Sequence, residues 1–240
     1  MTRTTRNPVT ARSRLSPNVL ITLVVLVVAA LVFGGVLLTQ RGDDDVTPDS
    51  LRGPDANTVL DAGDEAVTIV EFLDYQCPAC AGYYSGITRQ LEEDYAGRIT
   101  FVVRNFPLQA HPLARQAAAA AEAAALQGRF AEMYRALYDN FTGWALAPGG
   151  QSVSDDTGRA AALFDDYART AGLDVERFRR DITSDEVRSR IEADLAAGRE
   201  AGVTGTPTIF VDGTRFEPAG SSYADVAAEL RSLLDDRLNP

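Results

Sequence analysis

The 240-residue sequence contains no lysine; all 23 of its basic residues are arginine. It has a single histidine, His111, and only two cysteines, Cys77 and Cys80. No acidic residue precedes Asp43. Each shortage excludes something. Structural zinc needs about four Cys or His ligands, which one histidine and two cysteines do not supply, so no metal and no cofactor are expected. Apart from Arg3, Arg6, Arg12 and Arg14 near the start, the chain holds 19 basic residues against 34 acidic ones, a formal charge of −15. A body this acidic offers phosphates no basic surface, so nucleic acid is not expected as a partner.

Long charge-free runs are also scarce, with one exception. Residues 19–38 (VLITLVVLVVAALVFGGVLL) are 20 residues without a charge, about the ~20 needed for a helix to cross a hydrocarbon core. The run exceeds the usual core of a signal peptide, and no A-x-A site follows Leu38, so an uncleaved anchor is expected. Four arginines precede it, and Asp43, Asp44 and Asp45 follow it. Positive flanks stay inside. The expected layout is a cytoplasmic segment 1–17, a transmembrane helix 18–39, a flexible linker 40–57 rich in Asp, Gly and Pro, and an extracytoplasmic domain 58–240. In that compartment disulfides persist.

Within the domain, VTIVEFLDY (67–75) is a near-continuous apolar and β-branched run, the pattern of a strand covered on both faces. A helix is predicted over 78–95, ended by Gly97, and ITFVVRNF (99–106) is a second strand. Strand, helix and strand in this space form a parallel βαβ unit. From about 108 to 202 the pattern is helical, with helices expected near 157–171, 174–182 and 185–200. Phe130, Tyr134, Tyr138 and Phe141 fall at helical spacing and read as core. TIFV (208–211), the Asp212-Gly213 turn and residues 214–217 form a hairpin. A last helix starts at Ser222, with Asp225 as a capping-box variant. This is an α/β chain with the βαβ…ββα order of a thioredoxin fold, a helical insertion, and one transmembrane helix before it.

CPAC (77–80) falls at the junction of a buried strand and a helix. A helix N-terminus carries partial positive charge and free N–H groups, which lowers the pKa of a thiol below the ordinary ~8.5. Cys77 is the candidate nucleophile, pointing outward; Cys80, a turn further in and buried, is the resolving thiol. Pro78 suits the first helical position. A structural disulfide over so short a loop would gain little from chain entropy. Glu71 sits inside the apolar strand. It is either a buried proton acceptor and donor for Cys80 or a solvated residue at a sheet edge. Asp74 caps the turn before the cysteines or shapes the site. His111, with Pro112, fixes the start of a helix rather than doing chemistry. Pro207 opens a strand, where it removes a ladder donor; base rates alone favour a trans bond before it.

VTIVEFLDYQCPAC, RNFPLQAHPLARQAA, YARTAGLDVERF and GVTGTPTIFVDG resemble, in order over about 58–240, the DsbA-like branch of the thioredoxin superfamily. That resemblance implies Cys77 as attacking thiol, Cys80 as resolving thiol, a cis Thr206–Pro207 bond facing them, and Glu71 at the buried-acid position. Catalytic roles for Cys77, Cys80, Thr206, Pro207 and Glu71 follow, in a thiol–disulfide oxidoreductase. The expected partners are exported proteins with thiols or disulfides and a membrane redox partner that resets the pair. Two departures bear on direction. Pro-Ala, not the Pro-His of the strongly oxidising type, separates the cysteines, and no N-terminal dimerisation domain of the isomerase kind precedes the fold. Oxidation is the leading reading, reduction or isomerisation the alternative, and a two-thiolate Cu(I) module the reading from another class.

Overall fold

The computed structural model describes residues 47–239, apart from 55, 64 and 65. The expected cytoplasmic segment and transmembrane helix lie outside these residues. Among the described residues, no helix is long and apolar enough to cross a membrane.

A five-stranded sheet forms the middle layer. Its strands are β1 (Asn57–Leu60), β2 (Val67–Leu73), β3 (Ile99–Asn105), β4 (Thr208–Val211) and β5 (Thr214–Arg215), in spatial order β1-β3-β2-β4-β5. β2 and β3 are parallel, as the βαβ pattern requires, from Val67 opposite Ile99 to Leu73 opposite Asn105. β4 runs antiparallel to β2, with Glu71 opposite Ile209 and Phe72 opposite Thr208. β2 is therefore the central strand, covered on both faces, which is why it reads as an unbroken apolar run.

One helix departs from the expected linker, and a strand starts at the linker's last residue. Residues 47–53 include a short helix, α1 (Pro48–Arg52), capped by the Thr47 hydroxyl. Leu51 is buried, and its carbonyl accepts from the Arg104 guanidinium at 2.6 Å. β1 then pairs antiparallel with β3. Within the linker assigned to 40–57, the described residues of 47–57 are thus ordered structure, and residues 40–46 lie outside the described residues. Its composition resembled a tether, but one leucine and one carbonyl are enough to dock it.

The crossover from β2 to β3 is α2 (Pro78–Tyr83), a π-helical segment (Tyr84–Thr88) and α3 (Arg89–Asp94). The expected single helix covers the same span without the π turn. The insertion comprises α4 (Ala114–Ala125), α5 (Phe130–Asp139), α6 (Phe141–Trp144), α7 (Thr157–Thr170), α8 (Val175–Asp181) and α9 (Asp185–Glu200). α10 (Tyr223–Leu238) closes the fold, and the Ser222 hydroxyl accepts from Asp225 N–H at 3.1 Å, as the capping pattern predicts.

Polar bonds tie the insertion to the sheet. In the Ala-rich α4, Glu122 is buried and accepts from the amides of Asn57 and Asn105, each at 2.6 Å. Asn105 also donates to Asp194 of α9, which pairs with Arg104. Gly198 lets α9 approach closely: a Cβ there would lie 2.7 Å from Phe106 and 3.0 Å from Phe72.

Candidate active site

The loop from β2 to α2 carries the site. β2 ends at Leu73, two residues earlier than the sequence pattern suggests, because Asp74 turns the chain. Its Oδ1 accepts from Gln76 N–H at 2.7 Å, and its carbonyl accepts from Cys77 N–H at 3.0 Å. The other carboxylate oxygen accepts from Leu108 N–H at 2.8 Å and bonds His111 Nδ1 at 2.7 Å. Burial nonetheless leaves the Asp74 pKa above its ordinary value. His111 thus positions Asp74, and its carbonyl accepts from Ala114 N–H at the start of α4.

Gln76 holds the cysteine loop in place, a role that sequence reasoning missed. It is fully buried. Its amide donates to Ala145 O at 3.0 Å and Ser154 O at 2.7 Å, and its carbonyl accepts from Leu113 N–H at 2.6 Å. One side chain therefore latches the cysteine loop to two segments of the insertion. No local pattern marks it, since its partners lie far away in the chain.

Cys77 is the residue preceding α2, with Pro78 at the first helical position. Both cysteines are free thiols. Cys77 is 7% exposed, less open than an outward-pointing nucleophile would be, while Pro78 and Ala79 are exposed. Its pKa falls to about 5. The main cause is the Cys80 thiol, which donates to Cys77 Sγ; backbone N–H groups of Cys80 and Ala79 and the Thr206 side chain add to it, against burial. Cys77 Sγ also lies 3.6 Å from the Thr206 carbonyl oxygen, to which the protonated thiol donates. A thiolate has no proton to give that carbonyl. The Thr206 hydroxyl is buried with no hydrogen-bond partner in this structure; as a nearby donor it favours the charged form and so lowers the Cys77 pKa.

Cys80 is 1% exposed, and burial, followed by the bond to Cys77, pushes its thiol well above the ordinary range. Glu71, 1% exposed in the central strand, is the buried acid and not an edge residue. Burial, and then the charge at Cys77, raise its pKa to about 8. The Thr206–Pro207 bond is cis. The pairing of Phe72 with Thr208 carries Thr206 and Pro207 beyond the end of β2, beside the cysteine loop. All five residues named from the sequence therefore converge.

Beside Pro207 lies a groove of about 320 Å³, with Tyr83, Ile209, Phe216, Tyr223 and Val226 among its walls. Tyr223 is 45% exposed; its ring lies over Gly82 and Gly86, and its hydroxyl donates to Ala79 O at 3.3 Å. Among the described residues, no group of three or more His, Cys, Asp or Glu is arranged to hold a metal ion.

A dithiol at a strand-to-helix junction, faced by a cis-proline and backed by a buried acid, defines a thioredoxin-fold redox centre. The family model described as Thioredoxin matches residues 59–236. The chain belongs to the thioredoxin family. Among solved structures, it is similar to a thioredoxin-like oxidoreductase from Silicibacter pomeroyi, 26% identical with a TM-score of 0.57 over 83% of this chain and 99% of that one. Oxidised BdbD from Bacillus subtilis (22% identical, TM-score 0.59, 74% of this chain and 91% of that one) shares the fold. So does the thiol-disulfide exchange protein alpha-DsbA2 from Wolbachia pipientis (21%, TM-score 0.60, 79% and 90%). A curated relative, Na(+)/H(+) antiporter NhaA 3 of Salinispora tropica, is 36% identical over 188 residues, 78% of this chain and 26% of that protein. The chain spans about a quarter of the length of the curated relatives it matches.

Proposed function

We propose that this chain is a membrane-tethered, extracytoplasmic thiol–disulfide oxidoreductase that donates the Cys77–Cys80 disulfide to exported proteins. The observation that carries the reading is the asymmetry of the pair. Cys77 is held as a thiolate near pKa 5, and Cys80 is held protonated. Stabilising the reduced dithiol makes the disulfide a better oxidant. The tether and the compartment rest on residues 19–38 and their flanks.

A substrate thiolate attacks Cys77 Sγ. The Cys77–Cys80 bond breaks, a mixed disulfide forms, and Cys80 leaves as a thiolate. Protonated Glu71 then gives Cys80 its proton. A second substrate thiolate attacks the substrate sulfur of the mixed disulfide and expels Cys77, whose low pKa makes it a good leaving group. The substrate loses two electrons to the pair, which takes up one proton, on Cys80 by way of Glu71; the other substrate proton goes to solvent because Cys77 stays ionised, and a membrane partner removes the electrons to reset the pair. Substrate backbone pairs as an added strand beside Thr206, with a side chain in the groove by Pro207.

The test is a Cys80→Ala variant expressed in cells. It should accumulate mixed disulfides between Cys77 and exported proteins. Their absence, with Cys77 intact, would refute the reading. The Pro78-Ala79 pair, lacking a histidine between the cysteines, favours a reductase as the second reading. A reduction potential near about −270 mV would select it, and one near about −120 mV would select the oxidant.

A further inference from the structure

The two residues between the cysteines offer Cys77 no side-chain donor. Pro78 lacks even an N–H, and neither Pro78 nor Ala79 has a polar side chain. The backbone N–H groups that act on the Cys77 sulfur are those of Cys80 and Ala79, and both lower its pKa. No capping hydrogen bond of full geometry joins them to the thiol. They act instead as neighbouring dipoles, and the pull of such a dipole grows as its own peptide is polarised.

The Cys80 N–H belongs to the same peptide unit as the Ala79 carbonyl. That carbonyl accepts from the Tyr223 hydroxyl at 3.3 Å. A carbonyl oxygen has two lone pairs, so the helix ladder leaves one for this bond. The order is thus Tyr223 O–H, Ala79 C=O, Cys80 N–H and Cys77 sulfur, with one peptide plane in the middle. A hydrogen bond at the oxygen draws electron density from the nitrogen and makes its N–H a stronger donor.

Among the described residues, Tyr223 is the only large hydrophobic side chain that is exposed. Burial of its ring therefore does not account for its place, but specific contacts do. A Cβ at Gly82 would collide with its hydroxyl, and one at Gly86 would lie 3.0 Å from its Cβ. Glycine is among the poorest helix formers, yet two stand under this one ring. From the other side, the Glu229 carboxylate accepts from the N–H groups of Ala219 and Gly220 at 2.9 and 2.7 Å, and Ser222 caps α10. The loop and the helix start that carry Tyr223 are thereby fixed. Burial, and then the charges at Cys77 and Cys80, raise the pKa of its phenol, which keeps it a donor and places it beside the sulfurs.

We propose that Tyr223 is a positioning residue for the exchange chemistry: its hydroxyl polarises the Ala79–Cys80 peptide and so strengthens the hold of the Cys80 N–H on the Cys77 thiolate. This rests on the exchange function proposed above. Tyr223 makes and breaks no bond to sulfur and gives up no proton. In the disulfide form Cys77 carries no charge, so the contact favours the dithiol and makes the disulfide a better oxidant. A polarised neighbour strengthens a hydrogen bond by roughly 10–30%, which for a bond to an ionised group is about two- to threefold in the ionisation constant.

The test is Tyr223→Phe in the full chain, which keeps the ring over both glycines and removes only the hydroxyl. Labelling cysteine with ¹⁵N gives two amide signals, because the chain has two cysteines. In the dithiol form the Cys80 amide proton should move upfield. The Cys77 amide, bonded to the Asp74 carbonyl, should move little. In the disulfide form the Cys80 change should be smaller. Thiolate absorbance should show the Cys77 ionisation constant lowered about two- to threefold, and the equilibrium with glutathione at pH 7 should move toward the disulfide by the same factor. An unmoved Cys80 amide or an unmoved Cys77 ionisation in Tyr223→Phe would overturn the proposal. So would changes confined to Tyr223→Leu, which would assign the effect to the ring. None of these readouts needs a substrate, so inertness toward thiol peptides would refute the proposed function alone.

Discussion

The reduction potential should depend on pH in a way that the Cys77 environment fixes. Cys77 titrates at about 5 in the fold, against an ordinary 9.0. At pH 7 the folded thiol is almost fully ionised and the unperturbed one almost fully protonated. The reduced state is thereby stabilised by RT ln[(1 + 10²)/(1 + 10⁻²)], about 2.7 kcal/mol, over one with an unperturbed thiol. The disulfide form has no thiolate to stabilise, so the whole amount makes it more oxidising, by about 60 mV for two electrons. The depressed pKa sets the sign: this advantage is complete above pH 9 and disappears as pH falls through 5. Cys80, held protonated, adds nothing at neutral pH. Between pH 5 and 8, reduction should take up one proton per two electrons, and the potential should fall by about 30 mV per pH unit, steepening to about 60 mV below pH 5. The assay is equilibration with glutathione buffers across pH 4–9, with thiolate absorbance giving the pKa directly. Repeating it in Glu71→Gln takes that carboxyl out of the proton count. A slope near 60 mV per unit from pH 6 to 8 in that variant would mean both sulfurs are protonated, and the thiolate reasoning would be wrong.

Other outcomes follow from the same contacts. Glu71 has its pKa raised from 4.5 to about 8, so the folded state binds the extra proton and loses stability as pH rises through that window, by roughly 3 kcal/mol at pH 7. Denaturation of the disulfide form, in which Cys77 neither titrates nor adds its charge to the Glu71 shift, should show a smaller decline of the same sign, from burial alone, in the native protein and not in Glu71→Gln; parallel curves would refute it. Gln76→Leu leaves two carbonyls and one N–H without partners and should cost about 2–4 kcal/mol in urea denaturation. The same variant should speed proteolysis of the 145–154 loop. Gly198→Ala forces a methyl onto Phe106 and Phe72 and should cost about 1–3 kcal/mol despite the better helix propensity of alanine; a stabilised variant would show that α9 can move off the sheet.

Much of the fold was legible because local patterns and tertiary structure agree. The apolar run at 67–73, the helix after CPAC, the spans at 157–170, 175–181 and 185–200, and the Ser222 cap all depend on neighbours close in sequence. The cis bond at Thr206–Pro207 came from family resemblance alone; residue base rates pointed the other way. α1 was hidden in a stretch with the composition of a tether, and β1, which starts at the last residue of that stretch, went unread, because what orders them is Arg104 and β3, some fifty residues on.

The sequence by itself determined the chemistry that is available: one thiol pair, placed by strand and helix periodicity at a helix start, with an acid six residues before it and an apolar segment well upstream. Only the tertiary structure decided how those groups behave. Strand order put Glu71 in the centre of the sheet, where burial raises its pKa. The meeting of β4 with β2 brought Thr206 to Cys77, and Gln76 and Asp74 found partners on the insertion. A pKa depends on burial and on charges nearby in space, and neither can be read from residues in a line.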